Sequence, residues 1–156
     1  MITTMMRKKI IFEITPQTFV RATVNDRIFF KIPRNKLRPA GLKRLMRLEK
    51  YNQYKVDLNA LAKAKKFEFP EQGAHVVFHI PVPKSWTKRK KAEMHMRLHQ
   101  STPDVDNLTK AMFDAFMSED KHIADIHITK KWVDRDHGWI EININNPSIR
   151  SSDTIV

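Results

Sequence analysis

Between Ala40 and Lys66 the chain has no proline and a single glycine, Gly41, near the start. So long a stretch without a breaker is the strongest constraint on the fold. Leu42, Leu45, Met46 and Glu49 begin a stripe that Tyr54, Leu58, Leu61 and Ala62 continue at spacings of three and four. That is the period of one helix face. One long helix is predicted, with Tyr51-Asn52 as the place where it would break. A helix with one apolar face must bury that face against another element.

The flanking segments supply strands. "KKIIFEIT" (Lys8 to Thr15) is rich in β-branched residues and stops at Pro16. "FVRATVNDRIFFKI" (Phe19 to Ile32) has the pattern of a hairpin turning at Asn25-Asp26. In "AHVVFHIPV", Val76, Phe78 and Ile80 face one way and Val77 and His79 the other, before Pro81 and Pro83 end the strand. The run "PKSWTKRKKAEMHMRLHQSTP" has many charges and no apolar period, and is expected to be a basic flexible loop over residues 84–102. A helix from Asp106 to Met117 follows. Then come two strands, "DIHITKKWV" and "GWIEININ", with "DRDHG" as their turn. The sum is an α/β (α+β) chain: one domain over residues 1–146, a mixed sheet with two main helices packed on it. A frayed tail is expected over residues 147–156.

Charge narrows the function. The 156 residues hold 29 basic and 17 acidic side chains, a net charge of +12. A field of that sign attracts polyanions, nucleic acid above all. No segment is apolar enough to span a bilayer, so no membrane partner is expected. The absence of cysteine excludes disulfides and thiolate-bound zinc, so any metal would need carboxylate or histidine. Three glycines are too few for a glycine-rich phosphate loop. No signal peptide is visible, and a cytoplasmic protein is expected.

Against this background "TPDVDNLTKAMFDAF" (Thr102 to Phe116) stands out. Leu108, Ala111, Met112, Ala115 and Phe116 form one apolar stripe, with Asn107, Lys110 and Asp114 beside it. The plainer account makes Asp106 the N-cap, leaves Asp104 solvated, and links Asp106, Lys110 and Asp114 as a ladder of surface pairs. The alternative account notes that the carboxylates of Asp104 and Asp106 can converge on one side of the chain as it enters the helix. A divalent cation placed there would reconcile acidic residues with a polyanionic ligand. Magnesium uses one or two protein carboxylates with water and phosphate, and two-metal nucleases use three or more. Glu119, Asp120 and Asp125 are the available third carboxylates.

"PDVDNLTKAMFDAF" followed by "EDKHIADIHITKKW" resembles the RusA-type endodeoxyribonucleases, the Holliday-junction resolvases of phages and prophages. The likeness is strongest over Pro103 to Lys131, and looser over "IPVPKSWTKRKKAEM". The resemblance implies a RusA-like fold and a magnesium-dependent nuclease, with manganese as a substitute ion. It also implies a homodimer that resolves four-way DNA junctions by paired symmetric nicks in recombination and repair, and an origin in bacteria or their prophages. Carried over, Asp104, Asp106 and Asp120 would be metal ligands, Lys110 the catalytic lysine, and Asn107 and Asp114 supports of the site. The turn "MSED" is short and has Glu119-Asp120 where an aspartate pair is common, which leaves Asp125 as the other choice for third ligand. Lys84, Trp86, Lys88, Arg89, Lys90, Lys91 and Arg97 would contact DNA, with Trp86 either stacked on a base or packed on the domain. His95 and His99 receive no metal role. The rival reading is a non-catalytic basic DNA- or RNA-binding module whose acidic motif only caps a helix.

Overall fold

A computed structural model describes residues 6–146; the tail expected over 147–156 lies outside them. The long helix is α1, Pro39–Ala64, unbroken through Tyr51-Asn52. Its continuity follows from packing, because Tyr51 and Tyr54 lie on the buried stripe with Leu48 and Leu58. Pro39 sits in the first turn, where its missing N–H costs nothing.

The strands are β1 (Met6–Phe12), β2 (Ala74–Pro81), β3 (Ile126–Val133) and β4 (Trp139–Asn146). They form one mixed sheet in the order β1-β4-β2-β3. β2 runs parallel to β3, and β4 runs antiparallel to both β1 and β2. β3 and β4 are therefore not a hairpin, although only five residues, 134–138, join them. The link crosses the end of β2, and Gly138 makes the crossing possible. A Cβ there would collide with the His79 carbonyl and crowd Pro16 and Pro81.

One sheet face presents Phe12, Val76, Phe78, Ile140 and Ile142, all fully buried, to α1 and to the second main helix, α3 (Val105–Phe116). Leu108, Ala111, Met112 and Ala115 of α3 complete this core, and each large apolar side chain buried contributes about 1.5–3 kcal/mol. Phe12, Phe67 and Phe116 meet at ring-centroid distances of 5.2 Å, so the C-terminal end of α3 is set in an aromatic cluster. On the opposite face His75 stacks on His127 and His79 on Trp139. The mixed sheet with helices packed on it is the α+β architecture expected.

Two segments differ from expectation. Residues 19–32 do not form a hairpin; Val24–Phe30 is a 3₁₀ helix. Asp26 is the reason. Its carboxylate accepts bonds from the Thr23 amide and hydroxyl, and from Arg44 of α1. The Arg44 guanidinium, first among these partners, holds the Asp26 carboxyl far below the usual carboxylate range. The second difference is the basic run over 84–102, which contains a short helix, α2 (Lys88–Met94), capped by the Thr87 side chain on the Lys90 amide. Seven residues are too few to show a helical period. Beyond α2, residues 96–99 exchange backbone bonds with Lys130 and Trp132, so this stretch borders the edge strand β3.

Candidate active site at the acidic entrance of α3

Asp104, not Asp106, is the N-cap of α3, and its side chain makes no capping bond. Ser, Thr, Asp and Asn favour this position because the side chain usually accepts an orphan amide. Here the carboxylate is left exposed, one residue before the helix begins. The Asp106 carboxylate, also exposed, accepts only the neighbouring Asn107 amide, at 2.9 Å. Among the described residues neither aspartate has an ion-pair partner.

The ladder from Asp106 through Lys110 to Asp114 does not form. Lys110 places its Nζ 4.2 Å from the centroid of the Phe19 ring, and Asp114 accepts the Tyr51 hydroxyl at 2.8 Å. Burial first, and that bond second, push the Tyr51 hydroxyl pKa well up. Asp114 thus joins α3 to α1. The Asn107 carbonyl accepts the Phe19 amide, which ties the segment after β1 to the first turn of α3. Together Asp104, Asn107, Pro103, Gln17, Thr18 and Ile80 line an open cleft of about 470 Å³.

Lys130 is the residue that sequence reasoning missed. From β3 its ammonium donates to the Ser101 carbonyl at 2.6 Å and the Pro103 carbonyl at 2.7 Å. Desolvation lowers its pKa, and the nearby Asp104 charge opposes that shift. A strand lysine thereby clamps the cis Thr102–Pro103 segment that delivers Asp104. His99 acts on the same segment, since its Nδ1 accepts the Ser101 amide. His99 stacks on Trp132, which in turn faces Trp86 at 4.9 Å, with the Lys90 Nζ 4.3 Å from the Trp86 ring. Trp86 is therefore packed on the domain and half-buried. Lys84, Lys88, Arg89, Lys90 and Arg97 are exposed around this aromatic column, and Lys91 is half-buried. Arg89 is paired with Glu93 along α2. His95, like His99, is a backbone anchor: its Nδ1 accepts the Asp134 amide.

The third carboxylate lies elsewhere. Asp120 follows the C-terminal end of a twelve-residue helix, about 18 Å long, whose other end carries Asp104. Its backbone carbonyl caps the turn to Ile123, while Glu119 pairs with Lys121. Asp125 accepts the Gly73 amide just before β2. Among the described residues no three His, Asp or Glu side chains come together as ligands for one ion. Asp104 and Asp106 are thus two exposed carboxylates at the α3 entrance without an ion-pair partner among the described residues, and two carboxylates are the number a magnesium ion takes when water and phosphate fill its other positions.

A family model described as endodeoxyribonuclease RusA matches residues 30–145. The chain belongs to the RusA family of endodeoxyribonucleases, and the match takes in α1, α3 and all of β2, β3 and most of β4. Membership carries a nuclease role on branched DNA junctions in general terms. No curated protein matches the chain. Among the described residues no helix is long and apolar enough to cross a membrane.

Proposed function

We propose that this chain is a magnesium-dependent junction endonuclease that works as a homodimer and makes paired nicks across a four-way junction. The observation that carries this reading is an aspartate at a helix N-cap whose carboxylate does no capping. Asp104 and Asp106 would hold the ion; Asp120, beyond the far end of α3, stands apart from them. Bound there, the metal supplies Lewis acidity toward the scissile phosphate and its attacking water, a role manganese can also fill.

The chain's own residues do the rest. Lys130 and His99 fix the segment that presents Asp104. Asn107 and Gln17 line the cleft that receives the strand. Lys110, exposed one turn into α3, faces the phosphate charge that develops in the reaction. The cations of α2 and its flanks, with Arg97, hold the backbone of an arm. Two copies related by a twofold axis suit a substrate with matching strands on opposite sides.

Among the described residues no three carboxylates gather, and the rival reading is a basic nucleic-acid-binding module without catalysis. The two part in a single assay. Synthetic junction, fork and linear duplex are incubated with and without magnesium, using wild type, Asp104→Asn and Asp106→Asn. The nuclease reading expects metal-dependent nicking of the junction by wild type, and binding without nicking by both variants. Wild-type protein that binds junctions yet never nicks them in magnesium or manganese establishes the rival. Changing Lys88, Arg89 and Lys90 to Ala should weaken binding and flatten its salt dependence.

A further inference from the structure

The 3₁₀ helix Val24–Phe30 holds apolar side chains out in water. Val24 is 79% exposed, Ile28 54% and Phe30 55%. A patch of this kind on a monomer marks a contact surface more often than an accident. The segment is also held rigidly. Asp26 is 5% exposed and binds Thr23 and Arg44, and Arg44 further donates to the Arg21 carbonyl at 2.6 Å. A half-buried ion pair to α1 thus fixes the direction in which Ile28 and Phe30 point.

The rim is cationic. Arg27, Lys31, Lys36, Arg38 and Lys43 are exposed, and among the described residues none of them is in an ion pair. Arg34 differs, because both of its bonds go to Glu49. Next to the patch, Phe29, Ile32, Leu37 and Gly41 line an apolar cleft of about 480 Å³ with Lys36 and Arg38 at its border. The family match starts at residue 30, so most of the 3₁₀ helix lies outside it.

We propose that residues 24–43 form a second nucleic-acid surface, separate from α2, that grips an arm of the substrate near its branch point. Arg27, Lys31 and Lys36 neutralise backbone phosphates, and Phe30 stacks on a base face exposed where stacking breaks at the branch. Charge selects this occupant over a second copy of the chain. A twofold contact through the patch would set its cations against their own images. A polyanion instead meets every cation with an opposite charge, and offers an aromatic face to Phe30. The branch-point part of this inference rests on the junction-nuclease reading.

The test uses the full chain and fluorescence anisotropy in EDTA, with a four-way junction and a linear duplex, across a range of salt. The variants are Phe30→Ala and the triple change Arg27→Gln, Lys31→Gln, Lys36→Gln, each checked for an unchanged melting curve. The triple variant should lower the slope of log K against log salt by about 2 to 3. Phe30→Ala should weaken junction binding roughly tenfold or more and leave duplex binding unchanged. Wild-type salt slope and affinity in both variants overturn the inference. So does a Phe30→Ala protein that loses only self-association in sedimentation, or only binding to phosphatidylserine vesicles. If the wild type shows no preference for the junction, the junction reading fails, and the surface is judged by the salt slope on duplex alone.

Discussion

Asp104→Asn separates a cap from a catalytic ligand by comparing two magnitudes. A working N-cap side chain contributes about 1 kcal/mol. Asp104 makes no such bond, so that contribution is already absent. What the substitution removes is one negative charge at the start of α3, about 0.3–1 kcal/mol for an exposed site, together with some attraction to Lys130. For a chain of this length 1 kcal/mol corresponds to roughly 2–4 °C in Tm. The variant should therefore melt within about 4 °C of wild type. Activity should respond on a different scale. Loss of groups that merely orient metal ligands costs 10–100-fold, so loss of a ligand itself should cost at least about a hundredfold. The assay pairs a thermal melt with single-turnover cleavage of a synthetic four-way junction in magnesium, and with binding of the same junction in EDTA. Unchanged binding, a small Tm shift and cleavage reduced a hundredfold or more are expected. A Tm lowered by 6 °C or more, or cleavage close to wild type, would return Asp104 to the role of a helix cap and refute the reasoning.

Lys130→Met leaves the Ser101 and Pro103 carbonyls without their donor; it should cost about 1–2 kcal/mol in urea unfolding and slow cleavage more than it weakens junction binding. Gly138→Ala forces a Cβ into the His79 carbonyl and should lower stability by about 2 kcal/mol or more, read from the denaturation midpoint. His79 is buried with both ring nitrogens unpartnered, and burial lowers its pKa. The folded state thus binds its proton less readily than the unfolded chain, so the contribution of neutral His79 is present above about pH 6.5 and lost as pH falls through the folded pKa. His79→Phe should keep the stack on Trp139, raise Tm at pH 7, and flatten the decline in Tm as pH falls below about 6.5.

The elements legible in the sequence are those whose signal is local and periodic. The stripe of α3 and the alternation of β2 lie within one turn or one pleat of themselves, and both appear where their residues place them. Asn25-Asp26 misled because it has the composition of a turn, while the partner that decides the local structure is Arg44, eighteen positions away. The separation of β3 from β4 by β2 is likewise a property of distant pairing that five connecting residues do not reveal. At the candidate site, Asp104 and Asp106 were legible as a pair, but which one caps depended on where the backbone turns helical. Lys130 did leave a trace. Ile126, Ile128 and Lys130 share one side of β3, and a lysine in the register of two core-facing isoleucines asks for a partner. Adjacent Lys131 disguised it as part of an ordinary basic pair.

The order β1-β4-β2-β3 gives this fold a timetable. β4, the last of the described strands to leave the ribosome, occupies an interior place in the sheet, between β1 and β2. Until residue 146 emerges, β1 has no neighbour to bond with, and β2 has one free flank. The nascent polypeptide can wind α1 early, yet the sheet face that covers it stays open until the residues of β4 have been made. A ribosome stalled only a few codons short of that strand would hold a chain with two unmatched edges, the kind of intermediate that chaperones and proteases recognise.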